Sequence, residues 1–86
     1  MRVVTRKTYG HMERALESVS YQWEFPKKLS CDCGDDMLPM VALQDEEGLI
    51  SENRPKGAKV WPHDCVGLVV YICTNCGKAK VEWNQA

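Results

Sequence analysis

Four cysteines in two close pairs, Cys31-Asp32-Cys33-Gly34 and Cys73-Thr74-Asn75-Cys76-Gly77, restrict what this chain can fold into more than any other feature. Thiolates suit zinc, and two tight turns that each offer two of them can complete one tetrahedral shell. Such a shell joins distant backbone, since Cys33 and Cys73 stand 40 positions apart. Loop-closure entropy grows only logarithmically with length, so the long intervening stretch is tolerable. The chemistry points to one structural zinc ion held by Cys31, Cys33, Cys73 and Cys76.

The two pairs differ in quality. Cys73-x-x-Cys76 has the spacing that lets both sulfurs converge on one ion, and Gly77 frees the backbone just after the turn. Cys31-x-Cys33 has one intervening residue, below the usual two to four, although Gly34 repeats the same punctuation. His63 and Cys65 compete for the shell, because either can replace Cys31 if the first turn fails to close. With five cysteines, one is left over when four bind. Iron also accepts four thiolates. The odd cysteine count and the lack of an apolar leader after Met1 make a reducing compartment, the cytoplasm, the expectation.

The segments Ser30 to Gly34 and Tyr71 to Trp83 resemble the zinc-ribbon class, also described as rubredoxin-like, in which cysteine knuckles at hairpin tips precede strands of a small antiparallel sheet. The resemblance implies Cys31, Cys33, Cys73 and Cys76 as ligands. It departs from the usual pattern in the short first knuckle and the long insertion between knuckles. Members of the class bind protein, bind nucleic acid or hold larger machines together, so the resemblance informs fold more than role.

At 86 residues the chain is expected to form one small zinc-binding domain over 1–86, at a size where a metal crosslink compensates for a limited core. The net charge of -1 and the absence of a long apolar run predict neither a strongly basic body nor a membrane span. Tyr9, Met12, Leu16, Val19 and Trp23 recur at three- and four-residue intervals, which predicts an amphipathic helix over about 9–24, capped by Thr8 and ended before Pro26. Residues 2–7 read as an edge strand or a tail. Strands are expected over 38–43, with Pro39 near its entry, and more briefly over 49–51 and 59–61. Val66 to Ile72 is an apolar β run entering the second knuckle, and Lys78 to Trp83 alternates, with Ala79, Val81 and Trp83 on one side. The expected fold class is therefore small α+β, a zinc ribbon with an antiparallel sheet and one N-terminal helix.

Charge and aromatic placement then favour one class of partner. The middle of the chain is acidic, and Asp32, Asp35 and Asp36 surround the first knuckle, where they would repel a phosphate backbone. Lys78 and Lys80 are the candidate phosphate contacts in the alternative, nucleic-acid-binding reading. Tyr21, Trp23, Phe25, Trp61 and Trp83 exceed what so small a core buries, so one or two are expected at a protein interface. A closed thiolate shell leaves no position for a reactive water, and nothing else marks a catalytic group. The expectation is a non-enzymatic adaptor or regulator of another intracellular protein, with transcription or replication assemblies suggested only by the resemblance.

Overall fold

The computed structural model describes residues 2–7, 9–45, 53 and 66–85. Its centre is an antiparallel pair, β3 (Asp36–Asp45) and β4 (Val66–Cys73). β1 (Arg2–Thr5) lies outside β3 and β5 (Ala79–Gln85) outside β4, giving the order β1-β3-β4-β5, all antiparallel. A two-residue strand, β2 (Leu29–Ser30), pairs with the start of β3. The helix α1 (Tyr9–Ser18) follows β1. This is a small α+β fold with one helix near the N-terminus, as the residue patterns predict. The expected short strands over 49–51 and 59–61 lie outside the described residues.

Alternation along the strands divides the sheet into unlike faces. Met37, Pro39, Ala42 and Gln44 of β3 and Gly67, Val69, Tyr71 and Cys73 of β4 share one face, and all are buried. Met12, Ala15, Leu16 and Val19 pack there from the helical segment, joined by Phe25 from the chain beyond it. Leu38, Val41, Leu43, Leu68, Val70 and Ile72 occupy the opposite face and are only half-buried.

The helix stops at Ser18, six residues short of the expected end at 24. Its last turn tightens, with the Val19 and Ser20 N–H groups donating to Leu16 and Glu17 carbonyls at 3.2 and 3.3 Å. The Ser18 and Ser20 hydroxyls donate to the Ala15 and Leu16 carbonyls, each at 2.7 Å. Beyond this point a buried β5 side chain overrides the helical period. The Asn84 amide accepts the Tyr21 N–H at 3.4 Å and donates to the Trp23 carbonyl at 2.8 Å. That pairing redirects the chain so that Phe25 enters the core at 5% exposure and Trp23 leaves the expected apolar stripe at 49%.

Pro39 also falls differently from expectation. The strand starts at Asp36, so the proline sits inside it and not at its entry. It is tolerated because β2 pairs with β3 only as far as Met37, β1 begins at Val41, and a register shift separates Pro39 from Val41. Arg6 closes this gap through N–H donation to the Met40 carbonyl at 2.9 Å and guanidinium donation to the Pro39 carbonyl at 3.3 Å.

The helix reaches the sheet where β4 has no side chain. A Cβ built on Gly67 would lie 2.9 Å from both the Val19 Cβ and the Val19 carbonyl oxygen. The backbone oxygen cannot rotate aside, so Gly67→Ala must displace the helix end and is expected to destabilise the chain by about 1–3 kcal/mol. Gly10→Ala, where nothing lies within 4 Å, should be neutral or stabilising by up to about 1 kcal/mol. Denaturant midpoints of the two variants measure the contrast, and equal effects would refute the close packing.

Candidate metal centre

Both cysteine pairs sit at hairpin tips. Cys31 to Asp35 joins β2 to β3, whose last register pair is Ser30 with Asp36. Cys73 to Lys78 joins β4 to β5, where Ile72 pairs with Ala79. Because Met37 pairs with Cys73, the two tips meet at one end of the sheet. Each turn is closed by backbone bonds. The Cys31 N–H donates to the Asp35 carbonyl at 2.9 Å and the Gly34 N–H to the Cys31 carbonyl at 3.0 Å. In the second, the Cys73 N–H donates to the Lys78 carbonyl at 2.8 Å and the Gly77 N–H to the Cys73 carbonyl at 2.9 Å.

Gly34 and Gly77 have φ of +92° and +78°, a region where a Cβ crowds the following carbonyl. The glycine after each pair is therefore a requirement of the turn. The short first spacing does not prevent closure, because the reversal between β2 and β3 turns both Cys31 and Cys33 toward the second tip.

All four sulfurs lie within 4.8 Å of one another. The shortest approaches run between tips, Cys31 to Cys76 and Cys33 to Cys73, both at 3.5 Å. A disulfide would require about 2.05 Å, so these are four separate thiols. Zinc–sulfur bonds of about 2.3 Å imply a tetrahedral edge near 3.8 Å, which small adjustments of these distances produce. The cluster can hold one metal ion, and the chemistry of four thiols fits zinc. Cys31 and Cys73 are buried while Cys33 and Cys76 face outward.

The surroundings treat the thiols of the first knuckle unequally. For Cys33, the Asp35 backbone N–H and then the Asn75 amide favour the thiolate, and its pKa falls to about 6. For Cys31, the Cys33 backbone N–H favours the thiolate, but burial and the neighbouring Cys76, Cys33 and Cys73 thiols outweigh it and push the pKa up to about 12. The Asn75 Nδ2 lies 3.7 Å from the Cys33 sulfur. Asn75 escapes sequence reasoning because an asparagine inside a knuckle reads as an ordinary turn residue; the available signal is an amide donor placed immediately before a thiol.

The remaining sequence candidates scatter. Lys78 reaches across the tips to Asp32 at 3.7 Å, and Lys80 pairs with Glu82 at 3.4 Å. Trp83 and Trp23 are about half exposed. Tyr21 is half-buried, its hydroxyl accepting from the Gln44 amide at 2.6 Å. Phe25 belongs to the core and is withdrawn from the interface candidates. Trp61 and the alternative ligands His63 and Cys65 lie outside the described residues.

Among the described residues, no helix is long and apolar enough to cross a membrane. The fold and its four-cysteine cluster are consistent with a zinc-ribbon-type fold. Comparison with protein-family models, curated proteins and solved structures gives no match.

A bound metal requires thiolates, so uptake must remove the proton that Cys31 holds at neutral pH, whereas Cys33 is already largely ionised there. Zinc affinity is therefore expected to rise with pH through neutrality and to collapse as acid protonates Cys33 below about 6. Calorimetric titration at pH 7.5 in buffers of different ionisation enthalpy should count at least one proton released per zinc. No release, or affinity independent of pH, would contradict a shell of thiolates.

Proposed function

We propose that the chain is a single zinc-stabilised unit whose work is to bind protein, as an adaptor or regulator. Zinc at Cys31, Cys33, Cys73 and Cys76 would be structural, since four thiolates complete the tetrahedron and leave no position for a reactive water. The resemblance to zinc ribbons suggests a transcription or replication assembly as the setting.

The observation that carries the protein-binding reading is the sheet face opposite α1. Val3, Val81 and Trp83 are 55%, 54% and 47% exposed there, beside half-buried Val41, Leu43, Leu68 and Val70. A contiguous apolar face of this kind marks an interaction surface, whereas isolated exposed apolar residues carry no such meaning. Trp83 is the large anchor of the set, and tryptophan is among the residues that dominate binding energy.

Nucleic acid is the weaker partner class. Phosphate binding draws on unneutralised lysine and arginine, and Lys27, Lys28, Lys78 and Lys80 instead stand beside Glu13, Asp36, Asp32 and Glu82 at 2.8, 3.5, 3.7 and 3.4 Å. These pairs are exposed and add little stability. Their effect is to cancel local positive potential around the knuckles.

Zinc-loaded protein should capture a protein partner from a native extract, and Trp83→Ala should weaken that capture by about tenfold or more at unchanged zinc content. Low-salt titration with single- and double-stranded nucleic acid should show no tight binding. Tight, salt-sensitive binding abolished by Lys78→Gln with Lys80→Gln would replace the protein-binding reading with the nucleic-acid one.

A further inference from the structure

The four sulfurs differ in their access to solvent. Cys33 and Cys76 are exposed, while Cys31 and Cys73 are buried. Residues 32–36 and 74–80 are exposed throughout, so a small polar reagent reaches both outer sulfurs. The contacts between the tips join one sulfur of each kind. Exposed Cys33 lies 3.5 Å from buried Cys73, and exposed Cys76 lies 3.5 Å from buried Cys31. Four cysteines can pair in three ways, and these approaches select one of them.

We propose that the centre is an oxidation-sensitive switch in which a peroxide links Cys33 to Cys73 and Cys31 to Cys76, releasing the metal and leaving two disulfides as the tie between the tips. The inference rests on the four-thiolate shell of the preceding reading and adds its regulation.

Each pair balances with one peroxide. The Cys33 sulfur attacks one peroxide oxygen, the O–O bond breaks, and the departing hydroxide takes up the thiol proton to leave as water. Cys33 is then a sulfenic acid. The Cys73 sulfur attacks the Cys33 sulfur, so that an S–S bond forms as the S–O bond breaks, and the hydroxyl leaves as a second water with the Cys73 proton. Cys76 and Cys31 repeat the sequence. In the metal-loaded chain the protons come from solvent, and zinc departs because only the thiolate, not a disulfide sulfur, is its ligand. Oxidation to sulfinic acid needs a second peroxide at the same sulfur. A partner thiol already at 3.5 Å intercepts the sulfenic acid first, which keeps the change reversible.

Topology decides what the oxidised chain retains. The two links join residues 40 and 45 positions apart and tie the same end of the sheet that the metal ties. A Cys73–Cys76 bond would instead close a turn that β4 and β5 already hold, leaving the tips unjoined. In the chain-entropy account, crosslinks over long loops restrict the unfolded chain most. The metal is therefore exchanged for a covalent link with the β3–β4 register kept.

The test treats the zinc-loaded full chain with about two equivalents of hydrogen peroxide, one for each disulfide. A chromogenic chelator reads released zinc. Cleavage before Asp32 separates Cys31 from Cys33, and gas-phase fragmentation between Cys73 and Cys76 completes the disulfide map by mass spectrometry. The expected result is full zinc release, the pairs Cys33–Cys73 and Cys31–Cys76, and an unpaired Cys65. Sheet circular dichroism should persist, with a denaturant midpoint above that of the reduced metal-free chain, and dithiothreitol with zinc should restore the starting state. Either of the other two pairings, a bond to Cys65, sulfinic acid without disulfide, or zinc that stays bound overturns the switch and leaves the shell standing. A reduced chain that takes up no zinc before peroxide is added refutes the shell, and the switch with it.

Discussion

The meeting of two hairpin tips at one end of the sheet is the constraint on which the rest depends. The β3–β4 register puts Met37 opposite Cys73, and that single alignment delivers both cysteine pairs to one place. A one-residue slip would turn Tyr71 and Cys73 away from the helix and separate the thiols. A metal held by the four cysteines would therefore stabilise the register as well as the turns. The two thiols of the first knuckle sit in unlike surroundings: the Asp35 N–H and the Asn75 amide lower the pKa of Cys33, while at Cys31 the Cys33 N–H is outweighed by burial and the neighbouring thiols, which raise it.

The core that this register serves is small. One helix supplies Met12, Ala15 and Leu16, with Val19 just beyond its end, and the sheet answers chiefly with Ala42, Val69 and Tyr71. Tyr71 is fully buried but satisfied, its hydroxyl donating to the Pro26 carbonyl at 2.5 Å; burial, then Glu82, pushes its pKa to about 12, so it remains a neutral donor. Gln44 joins the same side of the sheet to the helix end through the Ser18 carbonyl. These polar ties fix how the helix and the following segment lie on one face of the sheet.

Much of this architecture was legible in the residues. The β-branched run before Cys73, the alternation after Gly77 and the glycine following each cysteine pair all express local chemistry, and local chemistry decided those elements. The first knuckle closed despite its short spacing because the β2–β3 reversal, a tertiary feature, oriented both thiols. The helix end was misplaced for the converse reason. Trp23 fits the helical period, but the buried Asn84, 61 positions later, captures the Trp23 carbonyl and draws the chain off the helix. Pro39 is another non-local case, since its tolerance depends on where two partner strands end and begin. Nothing in the order of residues announced that Phe25 would enter the core while Trp83 stayed out; that follows from which face α1 covers.

The account turns on four sulfurs closing one shell. X-ray absorption at the zinc edge of the metal-loaded chain reads that shell directly. The predicted result is one set of four sulfur neighbours at about 2.3 Å with no lighter ligand. A shell containing nitrogen or oxygen at about 2.0–2.2 Å, as His63 or water would supply, would contradict it.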